Sequence, residues 1–221
     1  MSDHQAFIRE ALPFWNKLST QEQQLILNNV ANVHYNQGEN IHRGENDCIG
    51  MLLLISGELR TYILSEDGRE ITLYRLMPGD ICVLSASCIL QSITFDVHID
   101  AELDSEILLI NSTVFQKLCT NIYVENFSYK MAVDRFSDVM WAMQQILFMR
   151  FDKRLAIFLL DETARIGTDS LSVTHEQIAK YMGSAREVVS RMLKNFENEG
   201  LVELSRGGIK ILDKKKLREL I

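Results

Sequence analysis

The spacing of apolar and polar residues changes character twice along the 221-residue chain. Residues 2–33 read as helical. Ser19 to Glu22 (STQE) forms a capping box, in which the serine hydroxyl and the glutamate three positions on satisfy each other's free backbone N–H groups; Leu25, Ile26, Asn29 and Val30 follow at helical spacing. From about Asn36 the period shortens. Segments such as MLLLISGELRTYIL (Met51–Leu64) and EITLYRL (Glu70–Leu76) are aliphatic and β-branched, and turn signals separate them: Gln37-Gly38, Ser56-Gly57, Glu66-Asp67-Gly68 and Pro78-Gly79-Asp80. Several short strands at this spacing predict a β sandwich, roll or barrel, with Val97–Ala101 and Glu106–Ile110 extending the strands to about residue 111.

Beyond residue 112 the turn residues vanish. No Pro or Gly occurs from Ser112 to Ile166, which predicts one or more long helices. Tyr129, Val133, Phe136, Met140, Met143 and Leu147 recur there in steps of four and three, with Ala132, Val139 and Ile146 beside them. That is the heptad seam of a helix pair, and it points to a homodimer; the alternative is a helix packed on its own domain's core. The last third begins near Arg150. DKRLAIFLLDETARIG (Asp152–Gly167) reads as an amphipathic helix ending in a glycine suited to the left-handed C′ position. Two further capping signatures, THEQ from Thr174 and SARE from Ser184, open two short helices divided by Met182-Gly183-Ser184. Helix, tight glycine turn, helix is the helix-turn-helix pattern. After it, Leu201–Leu204 and Ile209–Leu212 alternate as strands around Arg206-Gly207-Gly208, a hairpin that makes a wing.

Charge sharpens this division. The net charge is −7, yet Arg150–Ile221 carries 14 Lys+Arg against 11 Asp+Glu, a balance of +3, while the preceding residues carry 9 against 19, a balance of −10. An acidic body with a mildly basic C-terminal piece is compatible with DNA binding, because counterion release depends on the contacting face. No apolar run is long enough to span a bilayer and the polar N-terminus is unlike a signal peptide, so a cytoplasmic protein with no membrane partner is expected. Four scattered cysteines (Cys48, Cys82, Cys88, Cys119) are unlike a secreted disulfide framework.

The stretch VTHEQIAKYMGSAREVVSRMLKNFENEGLVEL (Val173–Leu204) strongly resembles the DNA-binding signature of the Crp/Fnr regulator family, and the order of elements agrees over nearly the whole chain. The resemblance implies an α+β fold: an N-terminal double-stranded β-helix (β-roll, cyclic-nucleotide-binding-like) domain over residues 1–120, a long dimerisation helix and connector over 121–150, and a winged helix-turn-helix domain over 151–221. It assigns base reading to Arg186, Glu187, Ser190 and Arg191, which lie around one face near the start of the second helix. An arginine can donate twice to guanine and a glutamate can accept from cytosine N4. An inverted repeat with a TGA-like half-site is implied. Thr174 and His175 match phosphate-contacting positions at a helix N-terminus, and Arg206 at the wing tip offers a further backbone contact. Val188, Val189, Met192, Leu193 and Phe196 read as core and wedge residues.

Signal input is less legible. The cAMP-binding members carry a Gly-Glu pair and an Arg-Ser pair in the roll; here Val83-Leu84 and Phe95-Asp96 stand in a plausible register, with an acidic residue where a phosphate needs a cation. The helix positions that would meet a purine are Val139 and Met140, both apolar. Leu84, Phe95, Asp96, Val139 and Met140 are thus a candidate effector pocket in which cAMP is disfavoured. Cys82 and Cys88 have no iron–sulfur or zinc spacing and read first as buried small hydrophobes; a thiol switch or a haem ligand (Cys82, Cys88 or His98) is the open alternative. His34 and His42 read as surface residues, and no metal site is expected. A cyclic-nucleotide module serving a kinase or channel conflicts with the wing, and a cupin-like enzyme needs a His/Glu cluster that the strands lack. The expectation is therefore a non-enzymatic, dimeric, allosteric transcription regulator bound to double-stranded DNA and an unidentified small molecule, with RNA polymerase a candidate further partner.

Overall fold

The computed structural model describes residues 3–43, 49–83 and 97–221. The chain divides into two compact units, Met1–Ile63 with Leu73–Val139, and Leu64–Thr72 with Met140–Ile221.

The first unit opens with α1 (Asp3–Ala11) and α2 (Thr20–Asn29). Ser19 caps α2 as its sequence predicts: Ser19 Oγ accepts from Glu22 N at 3.3 Å and Glu22 Oε2 accepts from Ser19 N at 2.7 Å. The helix stops sooner than its periodicity suggests. Val30–Tyr35, expected to be largely helical, is strand β1, paired antiparallel with β8 (Ser105–Ile110) from Val30↔Ile110 to Tyr35↔Ser105. A distant partner strand overrides a local helical spacing that Val30 and Val33 support only weakly.

The remaining strands among the described residues of this unit are β2 (Asn40–His42), β3 (Met51–Ser56), β4 (Leu59–Leu64), β5 (Glu70–Leu76), β6 (Ile81–Cys82) and β7 (His98–Ala101). They form two four-stranded sheets, ordered β1-β8-β3-β6 and β2-β7-β4-β5. The continuous apolar run of β3 follows from burial on both faces. Met51 and Leu53 join Leu108 and Ile110 under Ile8, Leu12, Trp15 and Phe115, whereas Leu52 and Leu54 join Ile107, Leu59, Tyr74 and Ile99 inside the roll. Gly50 (φ +107°) enters β3 where a Cβ would lie 2.1 Å from Ile110 O, so only glycine fits. His42 corrects an expectation. Its exposure is 1%, because β2 and β7 shift register between Asn40 and His42 and so turn both Ile41 and His42 inward.

The helical stretch follows as α3 (Ser112–Leu118), capped by Asn111, α4 (Ile122–Phe148) and α5 (Phe151–Ile166). The second unit takes α5, which ends at Gly167 in the left-handed region (φ +69°), then β9 (Ser170–Leu171), α6 (His175–Met182), α7 (Arg186–Asn198), β10 (Val202–Ser205), β11 (Gly208–Ile211) and α8 (Lys214–Glu219). Its antiparallel sheet runs β10-β11-β9. Leu155, Leu159, Ile178, Val189, Leu193 and Phe196 make the core that fixes α6 and α7.

Candidate DNA interface

The two short helices owe their geometry to their ends. Thr174 forms the capping box of α6: its Oγ1 accepts from Gln177 N at 3.1 Å, and Gln177 Oε1 accepts from Thr174 N at 2.8 Å. At the other end Gly183 takes the left-handed conformation (φ +58°), and Ser184 N donates to Ala179 O at 2.9 Å, closing a Schellman turn. This turn uses Ser184, so the capping box expected from SARE does not form. Ala185 is the N-cap of α7 and makes no side-chain cap bond, which leaves Glu187 uncommitted.

Arg154, half-buried on α5, donates to Met182 O at the last turn of α6, and burial draws its pKa below the usual guanidinium value. A cation at a helix C-terminus satisfies a carbonyl that the helix itself cannot. Sequence reasoning missed this clamp, since a single arginine in an amphipathic helix carries no signal for it. Arg154→Ala is expected to lower the unfolding free energy by about 1–3 kcal/mol, measured by urea melts with circular dichroism. An unchanged midpoint would show that the clamp contributes nothing.

On α7, Val189, Leu193 and Phe196 point into the core, and Val188 and Met192 are half-buried beside them. The opposite face carries Arg186, Glu187 and Arg191, all exposed and, among the described residues, free of hydrogen bonds and ion pairs. Ser190 differs. It is half-buried, and its Oγ lies 2.8 Å from His175 Nδ1, so a candidate base reader and a candidate phosphate contact are bonded to each other in the DNA-free chain. The wing is placed from the same helix: Glu197, on α7, accepts from Leu204 N at 3.1 Å and from Lys194 Nζ at 2.6 Å. Those two bonds, the lysine's first, hold its carboxyl below the usual range. Arg206 and Gly207 form the tip between β10 and β11, with Arg206 exposed. Thr174, His175 and Glu176, Arg186, and Ser205 and Gly207 line one open cleft of about 420 Å³, so the start of α6, the start of α7 and the wing share one surface.

The seam on α4 lies bare. Tyr129, Val133, Phe136, Met140, Met143 and Leu147 are all exposed, Phe136 at 63%, and Trp141 and Phe148 widen the apolar surface. Of the candidate effector pocket, Val139 packs against the apolar cluster inside the roll and Met140 is exposed, while Leu84, Phe95 and Asp96 lie outside the described residues. Cys48 and Cys88 lie outside them too. Cys82 is buried, and Cys119 is half-buried with a thiol that burial pushes up in pKa. His98 stacks on Tyr62 with ring centroids 5.2 Å apart, and Tyr62 in turn lies under Arg60. Among the described residues no three His, Cys, Asp or Glu side chains are grouped as metal ligands would be, and no helix is long and apolar enough to cross a membrane.

Comparison with known proteins agrees with both halves. Residues 32–121 match the cyclic nucleotide-binding domain and residues 153–220 the Crp-like helix-turn-helix domain. A solved structure assigned to the crp/fnr family of transcriptional regulators, from Eubacterium rectale ATCC 33656, is 50% identical with a TM-score of 0.92, covering 96% of this chain and 98% of that one. The transcriptional regulatory protein btr of Bordetella pertussis is 27% identical over 75% of this chain and 70% of its own length. The cyclic AMP receptor protein of Thermus thermophilus is 25% identical over 94% and 96%. A roll, a long helix and a winged helix-turn-helix in this order, with a half-identical relative along nearly all of both chains, make this chain a member of the Crp/Fnr family of transcription regulators.

Proposed function

We propose that the chain works as a homodimer that reads an inverted-repeat operator with α7, under control of a small molecule or redox signal received in the roll. The observation that carries this reading is the free polar face of α7. Two arginines and a glutamate there have no partner within the described residues, and burial fixes the helix behind them. Exposed unpaired charges on a rigid helix are what bidentate contact with base edges requires. Arg186, Glu187, Ser190 and Arg191 read bases; Thr174, His175 and Arg206 hold phosphates. Ser190 exchanges its bond to His175 for a base edge, which leaves the imidazole available to a phosphate.

Dimerisation runs through Val133, Phe136, Met140, Met143 and Leu147. A 27-residue helix is about 40 Å long, which gives the seam room for several heptad layers. The effector is not cAMP in this reading, because Val139 contributes only a methyl surface where a purine would need hydrogen bonds. The protein is cytoplasmic and acts without catalysis, with RNA polymerase as a further partner. Selection from a randomised pool of duplexes by the full chain tests the reading: enrichment of an inverted repeat with TGA-like halves about 10 base pairs apart is expected. Recovery of unrelated sequences, or of single half-sites only, would overturn it.

A further inference from the structure

The exposed seam of α4 starts earlier than Tyr129. Ile122 is 56% exposed, and from it the steps of four and three run unbroken through Asn126, Tyr129, Val133 and Phe136. Packing on the back of the helix holds this stripe outward. Val124 is fully buried in the core that contains Ile8, Leu12 and Ile26, and Phe127 and Met131 pack against it. Ser128 is buried too, its hydroxyl donating to Val124 O at 2.9 Å. In a heptad, Ile122, Tyr129 and Phe136 then take d positions, and Asn126 and Val133 take a positions.

One layer of the apolar seam is therefore an amide. Asn126 is exposed, and its side chain makes no hydrogen bond among the described residues. Glu125, half-buried, and Lys130, exposed, flank that layer at g and e positions, and neither makes an ion pair among the described residues. Five residues apart, they are not neighbours on one helix surface. The same separation sets a g residue beside an e residue of the facing helix in a parallel, in-register pair.

Other pairings waste these groups. A slip of one heptad sets Asn126 against Val133 of the partner subunit and moves Glu125 from Lys130 to Ser137. An antiparallel partner, or any other helix with an apolar stripe, leaves the amide facing hydrocarbon, and a buried amide without a partner is costly. Only a second Asn126 at the same height returns both a donor and an acceptor.

We propose that Asn126, with Glu125 and Lys130, is the partner-selecting element of α4. Its amide pairs with the partner's Asn126, and each Glu125 pairs with Lys130 of the partner subunit, so a permissive apolar seam accepts a second copy of this chain in one register. The proposal rests on the dimer reading and names the residues that restrict the dimer to its own kind.

Native mass spectrometry of full chains, one of each pair labelled with nitrogen-15 and mixed to equilibrium, tests it. Wild type mixed with labelled wild type sets the statistical reference, in which about half of all dimers are mixed. Wild type with Asn126→Val should give mixed dimers below about one quarter, because each sets an amide against a valine in the dry seam. Glu125→Lys with Lys130→Glu should exceed about three quarters, falling toward the reference as salt rises, because like charges in the self-dimers become opposite charges in the mixed ones. Circular dichroism confirms that each variant folds; should Asn126→Val not fold, Asn126→Leu reads the same layer. Statistical mixing in either arm overturns the proposal while the dimer stands. A wild type that is monomeric at every concentration removes the dimer reading, and the proposal with it.

Discussion

Replacing Phe136 by aspartate is expected to leave a folded monomer that no longer holds a full operator. Phe136, Val133 and Leu147 are each 63% exposed on one stripe of α4, and Tyr129, Met140 and Met143 continue it. Soluble monomers rarely leave a contiguous apolar surface of this extent in water. Covering each such side chain contributes about 1.5–3 kcal/mol, so four or five pairs in a heptad seam suffice for a stable dimer. An aspartate in the middle of the seam would be buried beside its own copy, and two like charges in an apolar interface cost more than the lost phenyl contacts. DNA affinity should fall with the dimer, since two linked half-site contacts exceed one by about 10²–10⁴ through effective concentration alone. Sedimentation equilibrium on the wild type and the variant decides the matter, with anisotropy on the operator as the functional readout. A wild type that stays monomeric at every concentration, or a variant that stays dimeric, would contradict the seam.

Arg191→Ala is expected to cost about 1–3 kcal/mol, roughly 5- to 150-fold, on the operator and little on a scrambled duplex. The reason is geometric. Arg191 is exposed on α7 and paired with nothing among the described residues, so in the free protein no hydrogen bond or ion pair ties it to the fold. Its removal is felt only where a base edge would have met it. Arg206→Ala provides the contrast. At the wing tip it should weaken both duplexes alike and lower the salt dependence by about one counterion. Equal losses on both duplexes for Arg191→Ala would show that this residue positions the protein without reading sequence.

The parts of the fold that were legible in the sequence are those fixed by neighbours within about four residues. Ser19 with Glu22 and Thr174 with Gln177 make their capping boxes, Gly167 and Gly183 take left-handed conformations, and the hairpin tip at Arg206 and Gly207 makes a wing. What escaped was fixed by distant partners. Val30–Tyr35 becomes a strand because β8, some 75 residues on, supplies its ladder. His42 is buried by a register shift against β7 that no local pattern encodes. Ser184 looked like an N-cap, but its N–H closes the preceding helix, and only the order of the two helices around Gly183 decides between those roles.

The candidate site divides in the same way. The exposure of Arg186, Glu187 and Arg191 was legible because a short amphipathic helix with three apolar positions on one face leaves its charges on the other. The bond between His175 and Ser190 was not, since it joins two helices across their turn.

DNA reading by α7 is tested most directly by one ratio: the dissociation constant of the full chain for a scrambled duplex divided by that for the selected inverted repeat, at about 0.15 M salt. A ratio of at least about 10³ is the expected result, in line with specific recognition by exposed side chains on a buried-backed helix. A ratio near one, with both affinities falling together as salt rises, would contradict it and leave only charge attraction between the chain and DNA.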